Sequence, residues 1–196
     1  MTNYQAQLDN ILENIDLSRK PRLLLHSCCG PCSSYCIEYL AQYFDITVYF
    51  YNPNIEPEEE YYKRLKTQKE LIEKLSLCVL EEGEWENSHF KTKTKGLENE
   101  KEGGERCKQC IALRLEKTAE LAAQKGFDYY CSTLSVSPHK NADTINVLGR
   151  FYESKYNVKW LASDFKKREG YKRSIELSRK YQLYRQDYCG CAYSKR

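Results

Sequence analysis

The chain has 196 residues, 41% of them hydrophobic and 30% charged, a size and balance that suit one compact domain and leave no room for two. No apolar run approaches the roughly 18 residues needed to cross a bilayer, and the N-terminus, MTNYQAQLDNILENIDLSRK, lacks the basic start, apolar core and cleavage site of a secretory signal; no membrane span is expected and the chain reads as cytoplasmic. The net charge of +3 hides a skew, because residues 150–196 hold 13 Lys+Arg against 5 Asp+Glu, a net of +8 that leaves −5 for the rest, and this marks the C-terminal quarter as a candidate polyanion surface.

In chain order, an amphipathic helix comes first, with Leu8, Ile11, Leu12 and Ile15 on one stripe. Short β-rich runs at 22–26, 46–51, 77–80, 129–133 and 158–161 then alternate with helical stretches at about 31–44, 58–75, 107–125 and 141–155. About five strands separated by helices predict a parallel sheet with right-handed crossovers and helices on both faces, a three-layer α/β fold of the doubly wound kind. Ligands in such sheets bind beyond the carboxyl ends of the strands. Residues 85–106 lack apolar periodicity, contain Gly96, Gly103 and Gly104, and read as an exposed connection or lid. Past residue 164 the alternation stops. Residues 165–196 read as a basic C-terminal extension of the single domain 1–196, helical over 166–180, which returns a cysteine pair to the body.

Ten cysteines in a reducing compartment point to metal binding or redox chemistry rather than disulfides. Cys28, Cys29 and Cys32 stand in HSCCGPC at the end of the first predicted strand and the start of a helix, where the dipole and free N–H groups lower thiol pKa. The alternative for this triplet is burial as small apolar side chains. Cys107 and Cys110 form a C-x-x-C, a spacing that lets two sulfurs converge on one metal or cluster. Cys189 and Cys191 form a C-x-C around Gly190, which frees the backbone for unusual geometry. Seven cysteines in three separated clusters exceed the four that a tetrahedral zinc or one cubane cluster takes, so the pattern suggests a cluster plus a second metal. Cys36, Cys78 and Cys131, in an apolar helix face and in strands, read as core packing.

HSCCGPC, FYNPNIEPEEEYYKR, GGERCKQC, STLSVSPHKN and LYRQDYCGCAYS occur in this order through most of the chain. Together they resemble the cobalamin-independent epoxyqueuosine reductases of the QueH type. The resemblance implies a HUP-like (Rossmann-like) α/β fold, reduction of epoxyqueuosine to queuosine at the wobble position of tRNA, and a [4Fe–4S] cluster beside a second mononuclear metal ion. It further implies essential roles for Cys28, Cys29, Cys107, Cys110, Cys189 and Cys191. Our own division of these residues expects the cluster on Cys29, Cys107, Cys110 and Cys189, and the second metal on Cys28, Cys191 and Cys32. Some family members carry Asp at the position of Cys32; a third soft thiolate favours Fe(II) or Zn(II) over a harder ion.

Removing an epoxide oxygen to leave an alkene takes two electrons, two protons and help for the departing oxygen, which a cluster and an open metal position would supply. A ferredoxin or flavodoxin would serve as electron donor. Asp187, beside the C-x-C, and His139, in the SPHK loop, are the candidate proton donors, while His26 reads as a structural hydrogen-bonding residue. Residues 132–140 read either as ligand contacts beyond the fourth strand or as ordinary helix capping. Neither nucleotide-binding glycine motif is present, nor the SGG-x-DS loop of related adenylating enzymes. For tRNA, Lys166, Lys167, Arg168, Lys172, Arg173 and Arg185 supply charge, with Arg179 and Lys180 nearby and Tyr171, Tyr181 and Tyr184 interleaved for base stacking. Two other readings stand beside this one. The first is a non-catalytic zinc-stabilised RNA-binding module on Cys107, Cys110, Cys189 and Cys191, which leaves the HSCCGPC cysteines unused. The second is a thiol oxidoreductase on Cys29 and Cys32, which leaves the other four unexplained.

Overall fold

Strand β1 (Arg22–His26) lies at the centre of a five-stranded sheet and sets the two faces by simple alternation. Leu23 and Leu25 join Ile37, Leu40 and Leu71 in one core cluster, while Leu24 joins Leu113, Leu115 and Ile145 in another. Both faces are therefore covered, which is why β1 reads as a continuous apolar run. The structure, a computed structural model, describes residues 2–195.

The chain runs α1 (Tyr4–Glu13), β1, α2 (Gly30–Leu40), β2 (Asp45–Phe50), α3 (Glu58–Leu75), β3 (Cys78–Glu82), α4 (Asn87–Lys93), α5 (Glu105–Gln124), β4 (Tyr129–Ser132), α6 (Ala142–Tyr156), β5 (Lys159–Trp160) and α7 (Gly170–Lys180). Every strand pairing is parallel, in the order β3-β2-β1-β4-β5. Helices α2 and α3 cover one face and α5 and α6 the other, the three-layer α/β arrangement expected from the alternation of runs. Local chemistry accounts for the helix ends. The Asn3 side chain caps α1 at Ala6 N and Asn141 caps α6 at Thr144 N. Three glutamates, Glu58, Glu59 and Glu60, fill the first turn of α3, where the helix dipole favours negative charge.

Three expectations need correction. Residues 85–106 are not simply an exposed connection. They include α4, whose Phe90 is 1% exposed, and Arg106 is buried. A seven-residue helix with one large apolar anchor is too short to print a period in the sequence. The extension becomes helical at Gly170 rather than at residue 166, because Arg168 and Glu169 take left-handed backbone angles that break the run. α2 stops at Leu40, three to four residues before the apolar pattern ends, and Phe44 is buried from the following turn instead. Among the described residues, no helix is long and apolar enough to cross a membrane.

Candidate metal centre

The strand order reverses between β1 and β4, so the chain leaves β1 at a topological switch point, the crevice where doubly wound sheets bind ligands. HSCCGPC occupies that exit. Cys29 is the residue before α2, in extended backbone, and Pro31 takes the first turn. A Cβ on Gly30 would lie 3.0 Å from Thr67 Cγ2, so the loop lies close against α3. Thr133, from the turn after β4, ties the two strand exits together: its hydroxyl accepts from Cys28 N at 3.2 Å and lies 3.4 Å from Cys28 Sγ, to which it donates. Below the loop, Ser27 Oγ donates to Gln68 Oε1 at 2.7 Å and sits 2.6 Å from Ser33 Oγ.

His26 is fully buried beneath the cysteines. Its Nε2 is 3.0 Å from the Tyr51 carbonyl, which can only accept, so this nitrogen carries the proton; Nδ1 then accepts from Ser132 Oγ at 2.9 Å. Burial, with the nearby Arg114 charge, lowers the His26 pKa to about 4. The residue is thus a neutral strut, as its place at a strand end suggested.

The sulfurs of Cys28, Cys29 and Cys32 lie within 4.8 Å of one another, with Cys28 and Cys29 3.8 Å apart. Donation from Cys28 and then Cys32 holds the Cys29 thiol well below the ordinary range. The converse hydrogen bonding, aided by burial, pushes Cys28 up to about 11 and Cys32 well above its ordinary value. Three sulfurs this close together form a ligand set able to hold one cation, whose binding would displace thiol protons.

The second group gathers from two distant segments. Cys107 and Cys110 open α5, where Gly103 N donates to Cys107 Sγ at 3.3 Å and burial pushes the Cys110 thiol up to about 11. The C-x-C is carried back by the extension and latched to α3. Arg64, 2% exposed, donates to the Cys189 and Tyr188 carbonyls at 3.2 and 3.4 Å, and its Nε pairs with Glu60 at 2.7 Å. Glu56 N donates to Gly190 O at 2.8 Å. Gly190 has φ +122°, and a Cβ there would meet Ile55 Cγ1 at 2.9 Å, so the loop needs glycine on both counts. Cys107, Cys110, Cys189 and Cys191 line one small pocket together with Arg114 and Lys140. Lys140 Nζ donates to Cys189 Sγ at 3.2 Å.

Above both groups opens a cleft of 360 Å³, lined by Cys28, Cys29, Cys32 and Cys189 and by four cations, Arg64, Arg114, Lys140 and Arg185. The structure thus brings Cys29 next to Cys28 and Cys32, and Cys191 next to Cys107, Cys110 and Cys189. Asp187 and His139 both lie on the cleft wall and are solvent-exposed. Cys36 and Cys131 are fully buried in the core, and Cys78 is partly buried on β3. The turn after β4 serves two purposes, since Ser132 caps Leu134 N while Thr133 holds Cys28.

The basic residues of the extension are less free than their charge count suggests. Lys166 pairs with Asp164 at 2.5 Å, Arg168 with Asp9 at 2.7 Å, Lys172 with Glu169 at 3.4 Å, and Arg173 with Glu38 at 2.9 Å and Glu176 at 3.2 Å. Arg185 turns to Ser178 Oγ at 3.0 Å. Tyr184 donates to Glu60 at 3.2 Å and Tyr181 packs on the core, which leaves Tyr171, 38% exposed, on the cleft. Sequence reasoning missed Arg64, Arg114 and Lys140. Each nevertheless carried a signal: Arg64 closes the FYNPNIEPEEEYYKR run, Lys140 closes the 132–140 loop read as possible ligand contacts, and Arg114 lies four residues past Cys110 on the same helix face.

The family model described as epoxyqueuosine reductase QueH matches residues 23–196. Among curated relatives, the epoxyqueuosine reductase QueH of Staphylococcus epidermidis is 45% identical over 206 residues, covering 99% of this chain and 87% of its own length. The protein of that name from Streptococcus pyogenes serotype M1 is 44% identical over 182 residues, covering 90% of this chain and 71% of its own. That of Thermotoga maritima is 36% identical over 175 residues, 88% and 89%.

Proposed function

The chain belongs to the epoxyqueuosine reductase QueH family, an oxidoreductase family that acts on tRNA, and we propose that it reduces epoxyqueuosine to queuosine at the wobble position with a [4Fe–4S] cluster and an adjacent metal ion held by seven cysteines. The observation that carries this reading is the convergence of seven thiols, from three separated segments, on one cleft and the small pocket that adjoins it. The donor set fits those groups: all-thiolate sites select iron–sulfur clusters and soft or borderline ions. When bound, such groups supply single electrons and a Lewis acid for the epoxide oxygen.

The chain's own residues do the rest. Thr133 fixes the rotamer of Cys28, and Arg64 fixes the C-x-C loop. Asp187 and His139, on the exposed wall, deliver the protons that turn the departing oxygen into water. Arg185 at the cleft and Lys167 receive anticodon-loop phosphates, joined by Lys166, Arg168, Lys172 and Arg173 as phosphate displaces the carboxylates they are paired with. Reloading falls to a ferredoxin- or flavodoxin-type donor in the cytoplasm.

Cys29 and Cys191, each buried within its group, decide how the ligands divide. One division places the cluster on Cys29, Cys107, Cys110 and Cys189 and the ion on Cys28, Cys32 and Cys191. The other places the cluster on the four pocket thiols and the ion on Cys28, Cys29 and Cys32. Iron, zinc and acid-labile sulfide per chain, measured on protein purified without oxygen, test the whole reading alongside turnover of tRNA carrying epoxyqueuosine. About four sulfides with an extra iron or zinc support it. Zinc without sulfide, persisting after attempted reconstitution, refutes it and favours the structural zinc module.

A further inference from the structure

Arg114 carries a guanidinium into the one place in the fold where both cysteine groups meet. It stands on α5 one turn past Cys110, is 2% exposed, and lines both the cleft that holds Cys28, Cys29 and Cys32 and the pocket that holds Cys107, Cys110, Cys189 and Cys191. Its Nε donates to the Cys110 carbonyl at 3.1 Å. Among the described residues its two terminal nitrogens have no hydrogen-bond acceptor, and the side chain borders the space next to both cysteine groups. A buried guanidinium without a counter-charge costs several kcal/mol, and buried arginines ordinarily meet a carboxylate. Here the two acidic side chains that line the cleft are Asp187, which is exposed, and Glu102, which faces Lys140 at 3.8 Å and is 43% exposed.

We propose that Arg114 is the fixed counter-charge of the cysteine centre, whose free guanidinium N–H groups donate to thiolate or cluster sulfur and thereby raise the reduction potential of the cluster. The inference rests on the cluster reading given above. It adds a positioning and tuning residue that ligates nothing itself. The physics is that of any iron–sulfur site: a neighbouring positive charge and hydrogen bonds to sulfur stabilise the reduced form, which carries one more negative charge. Lys140 adds a second cation on the opposite segment, but it is shared with Glu102 and touches Cys189 alone. Arg114 and Lys140 both border the cleft and the pocket, and of the two Arg114 is the one with no acidic partner among the described residues.

The test is a redox titration of the reconstituted protein, followed by the EPR signal of the reduced cluster, in wild type, R114Q, R114M and R114K. Iron and sulfide content are measured on the same samples. Met matches the volume and apolar stem without leaving an unsatisfied polar group, which guards against simple misfolding. With cluster content unchanged, the neutral variants should be at least tenfold less reduced than wild type at the same applied potential, a shift of about 59 mV to more negative values for one electron. R114K keeps the charge but not the planar fork, and should shift the same way by a smaller amount. A wild-type midpoint in loaded R114Q or R114M overturns the inference; if neither loads, a wild-type midpoint in R114K does so. Wild-type protein without acid-labile sulfide removes the cluster reading and this inference with it, an outcome distinct from loaded variants whose potential does not move.

Discussion

Replacing Arg64 by Met should detach the C-x-C tail from α3, and the size of the effect follows from burial. An i,i+4 Glu–Arg pair on an exposed helix face contributes about 0.3–0.5 kcal/mol, whereas removing one partner of a buried pair costs about 3–5 kcal/mol. Glu60 and Arg64 are spaced i,i+4, yet their side chains are only 11% and 2% exposed, and the Tyr184 hydroxyl and the Tyr188 ring close over them. The buried regime applies, and Arg64 loses two carbonyl contacts besides. R64M should therefore lose about 3–5 kcal/mol in urea unfolding of the reduced, metal-free protein. A double-mutant cycle with E60Q should return a coupling above about 1 kcal/mol. The same variant should hold less iron after gel filtration, because Cys189 and Cys191 are no longer fixed. A loss below about 1 kcal/mol with coupling near zero would place the pair in the solvated regime and refute the latch.

Three further outcomes are expected. In C29A and C191A, sulfide content separates the two ligand divisions: loss in C29A with retention in C191A assigns Cys29 to the cluster, and the reverse result assigns Cys191. His26, neutral in the fold with a pKa of about 4 against about 6.5 when unfolded, lets the unfolded chain bind the extra proton as pH falls, so stability declines between those values by about 2 kcal/mol from pH 7.5 to 5; H26Q should flatten that slope in urea melts at the two pH values. If about five phosphates are neutralised, log affinity for the tRNA should fall by roughly 3.5 per tenfold rise in salt, read by filter binding, and a flat response would refute a phosphate-binding extension.

The layered fold was legible because parallel strands buried on both faces leave continuous apolar runs. β1 begins and ends where the run 22–26 does, and α3 spans the predicted 58–75. What stayed hidden has a physical cause in each case. Phe90 buries a helix too short to show a period. The pairing of Arg168 with Asp9 and of Arg173 with Glu38 spans more than 130 residues, so a local charge count reads both arginines as free. Cysteine spacing exposed the three clusters but not which of them would touch, since that depends on where the extension returns. Arg114 looks like any surface cation in sequence, and only its burial beside thiols separates it from one.

The first cysteine group and the basic helix share a single mechanical support. α2 presents Cys29 and Cys32 at its N-terminus, and α7, the basic helix, packs across the same α2, pinned by the Arg173–Glu38 pair and by the close approach of Gly170 to Tyr35. Beyond α7 the chain turns, passes the cleft at Arg185 and Asp187, and ends its path at the C-x-C held by Arg64. A phosphate bound along α7 is thus rigidly related to the thiols at the strand exits through one helix–helix contact rather than through a flexible linker. Such an arrangement favours a reaction in which a large RNA must place one small ring within contact distance of a buried centre, because a displacement of about 1 Å at the reacting atoms can cost a hundredfold in rate.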